Sequence, residues 1–286
     1  MRTRLTTALT LSAAAALAVA LAPTASADTG RSGNGSGSLQ AVGLAGDRTL
    51  VSFSTDRADR GRALGDVQGL APADKEIVGI DFRVQDGALY AVGRGGGIYT
   101  VDTRTLKATK VRQLTVALDG KDFGVDFNPA ANALRIVSDK GQNLRQPFAT
   151  PDAATVVDTP LTLVAPPAAP AAATGVTGAA YTNNDLDAAT STTLFDLATV
   201  TDQVVIQAPA NAGTLSATGA TGVDLTGDTG FDIYTSTKGG SAGQLSAFAV
   251  NGGTLYSVDL LSGRFAGAGR IGGGQVTDLA IPLGQR

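Results

Sequence analysis

The 286-residue sequence predicts an all-β fold, a five-bladed β-propeller closed by its C-terminal strand, on three observations. A Gly-apolar-Asp-apolar tetrapeptide recurs along the chain. Short alternating strands separated by turns follow each copy, with no amphipathic helix between them. The last copy lacks its outer strands, and three unmatched strands stand at the other end of the chain. A ring closed by pairing those two ends leaves no open sheet edge at the closure.

From the N-terminus, residues 1–27 read as a cleaved secretory signal peptide: Arg2 and Arg4, an apolar run over 8–22, then Ala25-Ser26-Ala27. The Gly/Ser-rich stretch 28–38, DTGRSGNGSGS, reads as a flexible tether, and 39–286 as the propeller domain. The domain opens with LQAVGL (39–44), TLVSFST (49–55) and RALGDVQGL (62–70), which match the second to fourth strands of the first full unit. Copies of the tetrapeptide begin at Gly79, Gly124, Gly178, Gly230 and Val276, with spacings of 45, 54, 52 and 46 residues, near the length of a four-stranded blade. Gly222-Val223-Asp224-Leu225 also fits the pattern and offers a second register for the fourth unit.

After Gly79 come LYAVGR, a Gly turn, IYTVD and KATKVRQLTV. After Gly124 come ALRIVSD, QNLRQPF and ATVVDTPLTLV. The third unit continues with TTLFDLA, DQVVIQA and GTLSATG, and the fourth with QLSAFAV, an Asn-Gly turn, TLYSVD and GRFAGAGRI. The long second spacing traces to 159–174, TPLTLVAPPAAPAAAT, whose four prolines cannot donate ladder hydrogen bonds. It reads as an extended surface loop between blades, with an inter-domain linker as the rival reading. Only VTDLAIPL and a short tail follow Gln275, so this strand is expected to pair beside 39–44.

The segments GIDF, LYAVG, FGVDFNP, LRIVSDKGQNLR, GAAYTNN, TTLFD and GFDI together resemble a bacterial secreted family known as domain of unknown function 4394. The resemblance runs from Leu39 to about Leu283, and its most specific pieces are 135–145 and 178–184. It implies a secreted, propeller-like protein with no assigned activity.

Composition excludes several chemistries. With no Cys and no His, disulfides, thiol nucleophiles, Ser-His-Asp catalysis and imidazole or thiolate metal ligands are all ruled out. Only carboxylates, Tyr, Lys and Arg remain for acid–base work. Of the 22 basic residues, 20 remain after cleavage against 25 acidic ones, a formal charge of −5, and no Lys/Arg run exists. Nucleic acid is therefore not an expected partner, and no membrane span is expected after signal cleavage. The Gly-rich stretch at Arg94 lacks the Lys and the strand-to-helix context of a phosphate loop.

Asp81, Asp126, Asp232 and Asp278 are assigned to one repeat position on the innermost strand, where Ala180 stands in the third unit. Four carboxylates facing one channel must bind a cation, share protons, meet Arg partners, or accept backbone N–H groups. Calcium is the cation such oxygen ligands suit. Backbone acceptance is the favoured reading, because a fold repeats a device that a site would break. Asymmetry elsewhere marks Arg135, Asn143 and Arg145, polar where the repeat predicts packing, as candidates for reading a small anionic or polar ligand. A structural ion pair between Arg145 and an inner-strand Asp is the competing reading. Asn183 and Asn184 are ligand candidates whose commoner role is to set a turn.

Two functions follow as expectations. The preferred one is a secreted, extracellular, non-catalytic binding or scaffold propeller, with no cofactor, that meets an extracellular protein, a wall polymer or a small ligand. The alternative is a carboxylate-dependent hydrolase or lyase, glycoside-directed in its most natural form, that uses the inner-strand Asp residues. Against it stand the absence of Trp as a sugar platform and a single glutamate, Glu76.

Overall fold

A computed structural model describes residues 38–164, 169–187, 189–237 and 243–285. The expected signal peptide, and the tether apart from Ser38, lie outside the described residues. The described chain forms five small sheets arranged as a five-bladed β-propeller. In blade 1 the closing strand Val276–Ala280 is innermost, followed outward by Gln40–Ala45, Thr49–Ser54 and Arg62–Asp66. Blade 2 runs Ile77–Phe82, Leu89–Gly93, Gly97–Asp102, Lys107–Gln113. Blade 3 runs Phe123–Asn128, Ala133–Ser138, Asn143–Pro147, Val156–Val157. Blade 4 begins with Val176–Tyr181, Leu194–Ala198, Gln203–Gln207, Thr214–Ala220, and blade 5 comprises Thr229–Thr235, Leu245–Asn251, Thr254–Val258, Phe265–Arg270.

The ring closes as expected: Gln40–Ala45 pairs antiparallel with Val276–Ala280, Val42 opposite Ala280 and Leu44 opposite Asp278. Residues 222–225 are not a strand, so the fourth unit takes its register from Gly230. The stretch 159–174 is more than a surface loop. Thr162–Val164 pairs in parallel with Thr214–Ser216, and Ala171–Ala172 adds beyond it, so blade 4 carries six strands. Leu161, 1% exposed, anchors this segment among Val137, Val176 and Leu215. An apolar side chain inside the proline-rich stretch therefore draws it onto the neighbouring sheet.

Burial grades outward within each blade. Ile77–Phe82 is buried at every residue, whereas the outermost Lys107–Gln113 of the same sheet is largely exposed. The core is divided among the five blade junctions, one apolar cluster to each. Val78, Tyr90 and Ile98 of blade 2, for example, meet Phe123, Phe127 and Ile136 of blade 3. Large residues fill the wide outer part of a junction, and glycines allow close approach near the axis. A Cβ on Gly124 would lie 2.6 Å from the backbone nitrogen of Ala179 in blade 4, and one on Gly230 would lie 2.6 Å from Cα of Asp278.

Gly124→Ala is accordingly expected to cost about 1–3 kcal/mol, because the obstructing atom belongs to the backbone. Gly267→Ala on an outer strand, where nothing lies within 4 Å of the added carbon, should be close to neutral. Chemical denaturation of both variants tests this, and equal midpoints would contradict it.

Candidate functional site: the axial carboxylates

An innermost strand has a sheet partner on one side only, so the N–H groups on its other edge need acceptors. The Gly-apolar-Asp motif meets that need. Gly lets the next inner strand approach, and Asp, two residues on and therefore on the same face, reaches across. Phe127 N of blade 3 donates to Asp81 Oδ2 at 2.8 Å, Tyr181 N of blade 4 donates to Asp126 Oδ1 at 3.1 Å, and Ile281 N donates to Asp232 Oδ2 at 2.6 Å. The other oxygen of Asp81 accepts the N–H of Phe82 at 2.6 Å.

Asp278 does not share this position. Its Oδ2 accepts from Ile80, the residue before Asp81, whereas each of the other three accepts from the residue after the equivalent site. Ala280 holds the repeat position in blade 1, and Asp278 stands where the other units have glycine, against Gly230. The sequence alignment is thus two residues out of register here: the bulge that skips Thr277 matches those that skip Val78 in blade 2 and Thr177 in blade 4, which aligns Asp278 with Gly79 and Gly178. Around the axis the position therefore reads Ala280, Asp81, Asp126, Ala180, Asp232. The junction from blade 4 to blade 5, which has no aspartate, is held otherwise. Thr177 and Thr229 hydroxyls lie 2.5 Å apart, Asn183 N donates to Thr235 Oγ1 at 3.0 Å, and Asn184 Oδ1 accepts from Thr235 N.

Asp81, Asp126 and Asp232 each offer an oxygen within 4.8 Å of the others, a spacing that could surround one hard cation with ligands at about 2.3–2.6 Å. All three are buried, and burial is the main force on their protons. It pushes Asp81 and Asp126 well above the ordinary carboxylate range, with the neighbouring acids adding to the effect and the backbone N–H groups opposing it. Asp232 is pushed up to about 7, again by burial against its backbone hydrogen bonds. Where the inner strands begin, Asp228 is also raised to about 7, by burial and then by Asp122, with Arg94 and Lys121 opposing. Sequence reasoning missed Asp228 and Asp122 because they lie just outside the repeated tetrapeptide.

Arg135, Asn143 and Arg145 are brought together, with Arg135 and Asn143 in the interior and Arg145 half-buried beside them. Arg135 is 1% exposed and is the largest fully buried side chain among the described residues. It donates to Asp158 Oδ2 and Asn143 Oδ1, both at 2.7 Å, to Asn211 Oδ1 at 2.7 Å and to the Tyr181 hydroxyl at 3.3 Å. Arg145 closes on the same Asp158 through Nε at 3.1 Å and Nη2 at 3.2 Å. The acidic partner is Asp158 from the segment after blade 3, not an inner-strand aspartate. Nothing in a repeat marks Asp158 or Asn211, since both sit in irregular connections.

A different recess opens between blades 2 and 3, with a volume of about 380 Å³, lined by Arg83, Tyr90, Val111, Arg112, Phe148 and Pro151 with Asp152. Phe148 is the platform: the Arg83 and Arg112 guanidinium carbons lie 5.2 and 4.9 Å from its ring centre, and Tyr90 meets it edge-on. Arg83 is neutralised by Asp86 and bonded to Asn132. Arg112 donates to the Thr150 carbonyl at 3.2 Å, and among the described residues no carboxylate pairs with it. Its alternating strand shows it only as one of several exposed cations, so its stacking on Phe148 was not legible.

Asp81→Asn, Asp126→Asn and Asp232→Asn are each expected to lose about 1–3 kcal/mol, as replacement disturbs a buried backbone acceptor. The folded-state pKa of Asp232 lies near 7, above the ordinary 3.8, so its contribution is fully present below 3.8 and is lost as pH rises through about 7; burial shifts Asp81 and Asp126 in the same direction. The wild-type melting temperature should therefore fall between about pH 4 and pH 8, less steeply in Asp232→Asn, and chelator should leave it unchanged. A rise over that window, or a drop on chelation reversed by calcium, would mean instead that the three acids hold a cation.

Among curated proteins nothing matches the chain. Solved structures similar to it include a structural-genomics protein of unknown function from Bacteroides thetaiotaomicron VPI-5482. That pair shares 14% identity and a TM-score of 0.46, with 81% of this chain and 58% of the other covered. An auxiliary nutrient binding protein from Bacteroides ovatus ATCC 8483 is 11% identical, with a TM-score of 0.43 and coverage of 78% and 54%. The glutaminyl cyclase of Myxococcus xanthus is 10% identical, with a TM-score of 0.40 and coverage of 81% and 94%. This chain thus spans less than two thirds of the length of the first two. The model of the family described as Domain of unknown function (DUF4394) matches residues 49–280, most of the sequence, and the protein belongs to that family.

Proposed function

We propose that this propeller is a secreted, non-catalytic binding module that recognises an anionic group carried on an apolar or planar body, on an extracellular small molecule, wall polymer or protein. The recess at Phe148 carries this reading. Arg112 keeps most of its donors free, stacks on an aromatic face, and stands beside Val111 and Pro151, so a carboxylate or phosphate can be gripped while its attached body covers Phe148. Arg83, already matched by Asp86, supplies a wall rather than a second net charge. The reading requires no cofactor. A carboxylate-dependent hydrolase is disfavoured, because it needs acids facing a cleft. Asp81, Asp126 and Asp232 are 7%, 5% and 6% exposed and accept backbone N–H groups.

Calorimetric titration with benzoate and with inorganic phosphate tests the proposal. Saturable binding of benzoate is expected, tighter than that of phosphate, and at least about tenfold weaker in Arg112→Ala and in Phe148→Ala. Equal affinity in wild type and both variants, or no heat with either anion, would overturn it.

A further inference from the structure

Asp196, in the second strand of blade 4, is 0% exposed, and neither carboxyl oxygen has a hydrogen-bond partner among the described residues. The strand's period of two puts it on the face of Leu194 and Ala198, which pack with Tyr181 and Val205 against Val137 of blade 3. Gln207 lies on the same face, opposite Leu194 and one diagonal step from Asp196. Its Nε2 donates to Asn143 Oδ1 at 3.3 Å and to the Ala210 carbonyl, while its Oε1 is also without a partner. Three acceptor oxygens are thus left over in one blade junction.

The same junction has a donor left over. A guanidinium has five N–H groups. In Arg135, Nε is used by Tyr181, both Nη1 hydrogens by Asn143 and Asp158, and one Nη2 hydrogen by Asn211. One Nη2 hydrogen remains, and the Arg135 charge acts on Asp196 across the junction. Leaving these groups unpaired costs about 1–3 kcal/mol apiece, which native interiors avoid. A cation does not suit the place, since Arg135 stands beside it and its own charge is matched by Asp158. Water suits it, being both donor and acceptor and requiring two to four polar neighbours.

We propose that the junction of blades 3 and 4 encloses a water-binding site, in which ordered water joins the Asp196 carboxyl and Gln207 Oε1 to the remaining N–H of Arg135. Burial pushes the Asp196 carboxyl well up, so it serves as a neutral acid that donates as well as accepts, and no charge is buried beyond the Arg135–Asp158 pair. The site is sealed by 159–164 and the Ala210–Ala212 turn, whose residues already bond Asn143 and Arg135.

The wild-type crystal structure decides the matter. Density within hydrogen-bond distance of both the Asp196 carboxyl and Arg135 Nη2 is expected; a direct Asp196–Arg135 contact, or no density, would overturn the proposal. Two variants test it in solution. Asp196→Asn, which can still meet water, should melt near wild type, and Asp196→Leu should melt about 3–10 °C lower, because it strands water and Gln207. A Leu variant equal to or more stable than wild type would show that Asp196 is a true orphan and sink the proposal.

Discussion

The propeller depends on how each inner strand satisfies the backbone edge that its own sheet leaves bare. Five inner strands stand around one axis, each paired in its blade on one side only. Apolar packing fills the junctions farther out, but it cannot pair backbone N–H groups. Asp81, Asp126, Asp232 and, in a shifted register, Asp278 do so across four junctions, and the Thr177–Thr229 and Asn184–Thr235 contacts serve the fifth. Gly-x-Asp is thus one mechanical unit: glycine sets the spacing and aspartate makes the tie.

That dependence explains why the acids stay although burial raises their pKa values. A neutral carboxyl still accepts an N–H bond, and a proton on one acid relieves repulsion from the next. A second group of buried polar residues forms away from the axis, at the junction of blades 3 and 4. Blade 4 takes up Thr162–Val164 and Ala171–Ala172 as extra strands, and the irregular connections beside them have backbone and side-chain groups to satisfy. Arg135, Asn143, Asp158 and Gln207 satisfy them in the interior, with Asn211 at the surface, whereas at the Phe148 recess Arg112 stacks on an aromatic face with most of its donors unused.

Much of the architecture was legible because a propeller repeats itself. The Gly79, Gly124 and Gly230 copies announce their blades, and the truncated copy at Val276 announces the closure. Asp278 misled the register, since it occupies the position where the other units carry glycine, and an aspartate two residues early looks the same in the tetrapeptide pattern. The proline-rich segment misled in another way: Leu161 anchors it, and a single buried leucine leaves no periodic signal. At the site, Arg135 and Arg145 stand out by residue type, polar where the repeat predicts packing. Whether such a pair faces solvent or the interior depends on Asp158, which pattern alone does not connect to them.

Amide hydrogen exchange, measured residue by residue by NMR, tests the central tie most directly. If the carboxylates hold the ring through backbone N–H groups, the Phe127 amide exchanges slowly in the wild type. In Asp81→Ala it should exchange at least about tenfold faster while Tyr181, tied to Asp126, stays protected. Unchanged exchange at Phe127 in that variant would contradict the account.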